Sequence, residues 1–453
     1  MRQRGKGLAE KEKRWRRRLW RAWRQWSRRL AFWLGALVVG GVSIVFAQMA
    51  NWAQAVFGAA SHAYWALPAL LTPAGFVFCA WAAREFFPGS QGSGIPQAIA
   101  ARQLPRGHAL QRLLSLRIGF GKIGLTVIGL LCGASVGREG PTVQVGAALM
   151  LQVARIESLA NEGGLILAGS AAGIAAAFNA PLAGIVFAIE EMSRSFEVRT
   201  NGLVLTTVII SGLVSLGLAG NYTYFGITHA AVTQPRDWLL TIGCGALGGL
   251  AGGAFSRLML EGGRLASGWI AAHEARRRYL FPLGCGIAVA LLGLATHGAT
   301  FGTGYGVARA AVEGHAPPWY FWLAKLAATL ITAISGLPGG IFAPSLAVGA
   351  GLGAWLGGAS GASLGAVLGM AGYFAGVVQA PMTAFVIILE MTGNDANVIP
   401  LMLAAMIGLG ASRLVSREPL YHALSRNFLK ASAGSADRPS ADSAEQPTHR
   451  TTE

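Results

Sequence analysis

The sequence predicts an all-α polytopic membrane protein built from two similar halves. Its composition, its apolar runs and an internal repeat predict this class. Of the 453 residues, 53% are hydrophobic, 13% are charged and 63 are glycine. Such a chain is too apolar and too rich in glycine for an ordinary soluble domain. We therefore expect a lipid bilayer to be its solvent.

Apolar runs of about 18 or more residues are typical of membrane-spanning helices. The candidates are residues 30–48, 65–83, 203–218, 238–255, 280–294 and 398–410 with its flanks. Some of these runs are too short to cross a membrane alone. Short apolar pieces interrupted by glycine are typical of broken helices, which are tolerated at membrane depth only inside protein or around a cavity. The pattern indicates a transport pathway.

The formal charge of +17 is concentrated at the front of the chain. In residues 1–29, arginines alternate with Trp15, Leu19, Trp23 and Trp26 at helical spacing, which predicts a basic amphipathic helix at the membrane surface. The positive-inside rule then predicts a cytoplasmic N-terminus in the plasma (inner) membrane, where the segment can bind anionic lipid. Nucleic-acid binding is the weaker interpretation, and the charged region is too long for a secretory signal peptide.

Residues 431–453 form a polar tail that is rich in small residues and lacks apolar periodicity. This composition predicts disorder, and the tail is too short to hold a regulatory domain. Between the basic front and the tail we expect one membrane domain, residues 30–430.

The membrane domain repeats internally. GREGPTVQVGAAL from Gly137 aligns without gaps with GIFAPSLAVGAGL from Gly340, at an offset of 203 residues. A second pair, at an offset of 200 residues, places Glu190 over Glu390. The repeat predicts halves at about 30–225 and 235–430, and repeated transporters usually hold their substrate near the midplane between the repeats. Chance similarity between segments rich in glycine and alanine is the alternative.

Three loops rich in glycine and proline interrupt apolar segments, at residues 89–96, 137–141 and 339–344. Glycine lets the backbone turn with free N–H groups, and proline starts a helix whose positive end points back at the loop. Several such ends that converge can replace the water around an anion without a full positive charge. Ordinary helix starts would explain any one loop but not all three.

With these loops, the sequence resembles the CLC family of chloride channels and chloride/proton antiporters from about residue 30 to residue 430. The family's segments GSGIP, GREGP and GIFAP stand at Gly92–Pro96, Gly137–Pro141 and Gly340–Pro344, in the family's order. The resemblance implies a CLC-type fold of two inverted-repeat halves with tilted and broken helices. It also implies a homodimer with one pore in each subunit, of the prokaryotic type without C-terminal CBS domains.

The resemblance further implies a central chloride site. The Ser93 hydroxyl and the Tyr421 phenol would donate to the ion, together with the backbone N–H groups of Ile341 and Phe342; we include Ala343 from the same loop. Hydroxyl and amide donors stabilise an anion without a buried cation, whose attraction in a low dielectric would trap the ion. Serine at position 93 favours chloride over nitrate or fluoride.

Two further chloride positions and one lysine follow from the same resemblance. An outer site would use the N–H groups around Arg138, Glu139 and Gly140, and an inner site those of Gly92 and Ser93. Lys122 matches a buried lysine near the pathway, where its long-range field would support the anion. A lysine that snorkels to the membrane interface is the alternative.

Glu139 stands out on physical grounds. A carboxylate among N–H groups that attract anions is itself an anion that competes for the site. Ionised, it would occupy a chloride position; protonated, it becomes neutral and can swing away, which links proton uptake to chloride transport. A structural glutamate that caps the following helix is the alternative.

A second acidic pair, Glu190 and Glu191, ends an otherwise apolar helix. Glu191 matches the family's internal proton glutamate, a position that is typically apolar in plain channels, and Glu190 would support it. Intramembrane carboxylates commonly mark proton relays. Alternatively, both are charges at an exposed helix end, where Arg194 could pair with either.

Three functions follow in falling order: a chloride/proton antiporter, a passive chloride channel of the same fold, and a non-transporting membrane scaffold. The histidines form no HExxH or Cys/His pattern, and no GK[ST] loop is present. We therefore expect neither an enzyme nor an ATP-driven pump, and no metal or cofactor. The expected partners are chloride, protons, membrane lipids and a second copy of the chain, but not nucleic acid.

Overall fold

The structure is a computed structural model that describes residues 2–105, 107–156, 162–193, 198–220, 223–271 and 277–436. The helices of the first half are α1 Arg2–Ala63, α2 Leu67–Glu85, α3 Ile95–Gln103, α4 His108–Gln111, α5 Leu116–Leu131, α6 Glu139–Ile156, α7 Glu162–Phe178, α8 Pro181–Phe187, a π-helical turn at Ala188–Ser193, and α9 Val198–Ala219. Those of the second half are α10 Pro235–Ala271, α11 Arg277–Ala295, α12 Tyr305–Val312, α13 Phe321–Ile334, α14 Phe342–Val378, α15 Pro381–Thr392, a 3-10 turn at Asp395–Asn397, α16 Val398–Val415, and α17 Leu420–Ala436.

Eight helical stretches in the described part of the chain are long and apolar enough to cross a membrane. All six apolar runs fall on them, which confirms a polytopic membrane protein. The three shortest runs belong to α9, α11 and α16, helices of 22, 19 and 18 residues, so they are not broken pieces. Two of the stretches were missed, His108–Leu131 and Phe342–Val378, and the second consists of two helices joined at the non-helical Gly358. In the second, 89% of the most apolar window is buried inside the protein.

The two ends of the chain differ from the predicted boundaries. Helix α1 passes from the basic segment into the first span without a break at residue 29, because residues 8–34 contain no glycine or proline. At the other end, α17 continues to Ala436, beyond the predicted start of the tail at residue 431. The rest of the predicted disordered tail, residues 437–453, lies outside the described residues.

Equivalent helices begin at matched positions in the two halves. The starts of α6 and α14 are 203 residues apart, and those of α8 and α15, and of α9 and α16, are 200 residues apart. The halves meet where Gly137 and Gly340 exchange both backbone hydrogen bonds, at 2.6 and 2.7 Å, in an antiparallel bridge. Equivalent residues that bond each other reciprocally lie at a two-fold axis. The predicted pair of inverted repeats is therefore confirmed.

Glycine allows the helices of each half to pack at backbone contact. A Cβ atom at Gly169 of α7 would collide with the carbonyl of Gly146 on α6. The equivalent pair in the second half, Gly349 and Gly369, meets in the same way within α14, which turns back on itself at Gly358 with φ of 61°. Small residues replace hydrophobic bulk at helix contacts in membranes because close backbone approach gains packing energy.

Candidate functional site

The three loops rich in glycine converge at the centre of the molecule. Helices α3, α6 and α14 begin within them, at Ile95, Glu139 and Phe342. The first loop is joined to the third because the Gly92 N–H donates to Leu337 at 3.1 Å and the Gly339 N–H donates to Gly92 at 3.0 Å. The second and third loops share the bridge at the two-fold axis. Three helix N-termini, each with unpaired N–H groups and a partial positive charge, therefore lie side by side.

Gly140 of the second loop lies in close contact with Ser93 of the first loop. A Cβ atom built on Gly140 would lie 2.7 Å from the Ser93 carbonyl oxygen and would overlap the Ser93 hydroxyl. Any larger residue at position 140 would therefore displace Ser93. The glycine brings the first turn of α6 against the serine.

Two buried hydroxyl groups meet beside this contact. Ser93 is 4% exposed and Tyr421 is fully buried. The Tyr421 hydroxyl lies next to that of Ser93, but neither makes a hydrogen bond of normal geometry within the described residues. Burying a polar group without a partner is costly, so such groups in a native protein call for an explanation. An anion that accepts from both hydroxyls would supply one.

Backbone amides complete this pocket. Among the described residues, no group accepts from the N–H groups of Ile341 and Phe342 at the start of α14. The Phe342 ring is fixed between Phe178 and Phe374, with centroid distances of 5.1 and 4.2 Å. One expectation needs correction: the Gly92 N–H already donates to a carbonyl, so it does not face an inner anion.

Glu139 lies with its carboxylate inside this ring of helix ends. The side chain is fully buried, and the carboxylate packs over Gly137. It faces the backbone amides of Arg138, Glu139 and Ala343, although neither oxygen forms a hydrogen bond of normal geometry in the described part of the chain. The carboxylate occupies the position where the N-termini of α6 and α14 would stabilise an anion.

Arg138 turns its guanidinium away from the central pocket. Its Nη1 donates to the Ala47 carbonyl at 2.7 Å and to Asn51 Oδ1 at 2.8 Å, and Cζ lies 5.6 Å from the centre of the Tyr224 ring. Nε remains 4.0 Å from Glu139 Oε1. The side chain lines a cavity of about 520 Å³, so it joins this cavity to the buried carboxylate.

Lys122 holds the first loop in place. The side chain is fully buried, and Nζ donates to the carbonyls of Ser90 and Gly92, both at 2.6 Å. The alternative of a lysine that snorkels to the interface is wrong. The repeat contains a second lysine that we did not pick, Lys325, which is also fully buried and lies 203 residues later. It donates to Ser135, Thr300 and Gly302 at 2.7 to 2.9 Å; the repeat offset would have found it.

Glu190 and Glu191 lie next to each other on the π-helical turn Ala188–Ser193 and point in different directions. Single π-helical turns are frequent at functional sites. Glu190 accepts from the N–H groups of Met382 and Thr383 at 3.1 and 2.6 Å, at the start of α15. Glu191 is 3% exposed, so it is not a charge at an exposed helix end. Arg194, the suggested partner of both, lies outside the described residues.

His422 was missed by the sequence reasoning. It follows Tyr421 at the start of α17, and its Nε2 lies 2.8 Å from the Glu191 carbonyl oxygen and 3.8 Å from Glu191 Oε1. The only signal was its place beside the tyrosine. Nothing in the sequence indicates contact with a residue 231 positions earlier.

The fold and the site together define a class: an inverted-repeat membrane protein in which half-helix N-termini from both repeats enclose an anion-binding pocket. The family model described as voltage gated chloride channel matches residues 74–413. The chain therefore belongs to the voltage-gated chloride channel family.

Similar proteins carry more specific names. The chain is 30% identical over 433 residues to the H(+)/Cl(-) exchange transporter ClcA of Salmonella typhimurium, covering 88% of this chain and 89% of that protein. It is 31% identical over 443 residues to the protein of the same name from Salmonella arizonae, covering 90% of this chain and 91% of that protein.

Among solved structures, a slow cyanobacterial Cl-/H+ antiporter superposes with a TM-score of 0.75 at 24% identity, covering 88% of this chain and 98% of that one. A CLC-type fluoride/proton antiporter gives a TM-score of 0.73 at 23% identity, covering 87% and 97%. Both structural matches show the fold.

Proposed function

We propose that this protein is a chloride/proton antiporter. One observation carries the proposal: the Glu139 carboxylate lies fully buried among the amides of two helix N-termini, in a position that suits chloride. The names of the curated relatives support the same activity.

Chloride and the Glu139 carboxylate compete for the same donors. From the central position, chloride accepts from the Ser93 and Tyr421 hydroxyls and from the Ile341 and Phe342 amides. When Glu139 takes up a proton, it loses its attraction to the helix ends, and chloride replaces it there. Neutral donors stabilise the ion without holding it as strongly as a buried cation would, so it can leave.

Protons reach Glu139 by a separate route that passes Glu191. Glu191 is buried, and the Tyr421 hydroxyl is within electrostatic range of both the Glu191 and the Glu139 carboxylates. Two separate buried carboxylates near the chloride position allow protons and chloride to share the outer part of a pathway and to separate at the inner part.

The experiment is proton pumping in proteoliposomes. With an outward chloride gradient, the wild-type protein moves protons uphill, whereas a passive channel would move chloride without proton flux and a scaffold would move neither. Glu191→Val is expected to abolish proton flux and to spare chloride flux. Glu261→Val, which removes an exposed glutamate paired with Arg257, is the matched control and should leave both fluxes unchanged.

The outcome for the wild-type protein decides between the classes. Chloride flux without uphill proton movement would overturn the antiporter proposal in favour of a channel. Normal proton pumping by Glu191→Val would leave antiport standing but would remove Glu191 from the proton route.

The orientation and assembly are parts of the same proposal. We place the protein in the plasma (inner) membrane with its N-terminus in the cytoplasm, because arginine is concentrated before the first span. The resemblance to the family supports a position of Tyr421 on the cytoplasmic side of the chloride site. The basic segment contacts anionic lipid there. The resemblance to the family supports a homodimer with one pathway in each subunit. Protease protection of the N-terminus in oriented vesicles tests the orientation, and the molecular mass in detergent tests the assembly.

A further inference from the structure

His422 packs against Glu191 and is the more exposed of the two side chains. The Glu191 side chain is 3% exposed, whereas that of His422 is 20% exposed and in contact with it. Tyr421, the residue before His422, is fully buried. Exposure therefore rises in the order Tyr421, Glu191, His422. A proton that reaches Glu191 from the exposed side of His422 meets the imidazole first.

Four other titratable groups near this pair in the described part of the chain have partners of their own. Glu190 caps α15 with both carboxylate oxygens. Arg102, at the end of α3, donates to the Met192 carbonyl. Glu418 and Arg426, which flank His422 in sequence, form an exposed ion pair with each other. The carboxylate of Glu191 lies within 4 Å of the imidazole of His422.

We propose that His422 loads Glu191 with protons from the cytoplasmic solution; this rests on the proposed antiport. Histidine suits the task because it exchanges protons near neutral pH and has two ring nitrogens that can face opposite sides. A neutral imidazole with its proton on Nε2 takes a second proton from solution on Nδ1. The imidazolium then gives its Nε2 proton to the Glu191 carboxylate, which becomes a neutral acid. The imidazole keeps its Nδ1 proton. It returns to the starting tautomer when Nδ1 releases this proton to solution and Nε2 takes up another.

The geometry requires one small movement for this transfer. Nε2 is hydrogen-bonded to the Glu191 carbonyl at 2.8 Å, and the carboxylate oxygen lies 1 Å further away, at 3.8 Å. A rotation of the Glu191 side chain, or one bridging water, brings donor and acceptor into range. The carbonyl contact holds the ring beside the carboxylate between transfers.

The test separates proton loading from a structural role of the same hydrogen bond. In His422→Gln, the side-chain amide can still donate to the Glu191 carbonyl but cannot carry a proton. We expect proton flux to fall by at least about tenfold, with chloride flux changed by less than about twofold. His108→Gln, at an exposed histidine, is the matched control and should leave both fluxes at wild-type levels.

A second variant tests the chemistry directly. In His422→Ala, imidazole added to the cytoplasmic solution should restore proton flux, and the restored flux should follow the pH of that solution between about 6 and about 8. Wild-type proton flux in His422→Gln would overturn the proposal. So would a parallel loss of chloride flux in both variants, because it would show a structural role.

The two proposals fail in different ways. If the wild-type protein pumps no protons, the proposed antiport fails. If the wild-type protein pumps protons and His422→Gln does so equally well, only the role of His422 fails.

Discussion

Glu190 and Glu390 occupy equivalent positions in the two repeats, and each caps a helix of the other repeat. Glu190 accepts two N–H groups at the start of α15, and Glu390 accepts those of Leu182 and Ala183 at the start of α8, at 3.0 and 2.7 Å. A carboxylate at a helix N-terminus satisfies unpaired N–H groups and complements the helix dipole. The exchange ties the two halves together.

Removing either cap should destabilise the protein without stopping transport. Glu190→Ala and Glu390→Ala each leave two N–H groups without their charged acceptor, for a loss of about 2 kcal/mol. Thermal unfolding in detergent should show a lower midpoint for both variants. Glu313→Ala is the control: it removes an exposed ion pair with Arg309, worth less than about 1 kcal/mol. Equal midpoints for all three variants would show that the exchanged caps contribute nothing.

Neutralising the gate should separate the two fluxes. Glu139→Gln has nearly the shape of the protonated glutamate but cannot bind or release a proton. We therefore expect proton flux to be lost and chloride flux to persist without dependence on pH. Chloride flux measured across a pH series in proteoliposomes checks this expectation. An unaltered pH dependence in the variant would contradict the role of Glu139 as gate.

Removing either hydroxyl should weaken chloride binding. Ser93→Ala and Tyr421→Phe each remove one donor at a cost of about 1 kcal/mol, which corresponds to about a fivefold loss of affinity. Calorimetric titration of chloride measures it. Ser170→Ala is the matched control, since the Ser170 hydroxyl is also buried but donates to the Ile166 carbonyl of its own helix. Wild-type affinity in both site variants would place the chloride elsewhere.

The two buried lysines should differ in their effect on transport. Lys122→Met and Lys325→Met each leave the carbonyls that accept from Nζ without a donor. Both variants should therefore lose about 2 kcal/mol or more of stability. Only Lys122 holds the loop that carries Ser93, so chloride affinity should fall in Lys122→Met and change less in Lys325→Met. Thermal unfolding and chloride titration on the same samples test both parts. Equal affinities in the two variants would show that the Lys122 contact does not position Ser93.

The features that depend on local sequence could be predicted. Apolar composition predicted the membrane class, and the spacing of glycine and proline predicted where α3, α6 and α14 begin. Glu139 could be picked because its neighbours in sequence are also its neighbours in space. The lengths of α9, α11 and α16 were underestimated because their polar and glycine-rich ends interrupt the apolar runs.

The tertiary structure decided which distant residues meet. The Gly92 N–H donates to the Leu337 carbonyl, and His422 lies against Glu191, which is 231 residues earlier in the chain. Glu190 and Glu390 each cap a helix of the other repeat, whereas the repeat in the sequence only aligns the two residues with each other. These contacts depend on how the inverted halves pack, and local periodicity contains no information about that packing. The sequence by itself determined a membrane protein of two repeats with three helix-start loops; only the packing of the repeats decided what each loop and each buried charge contacts.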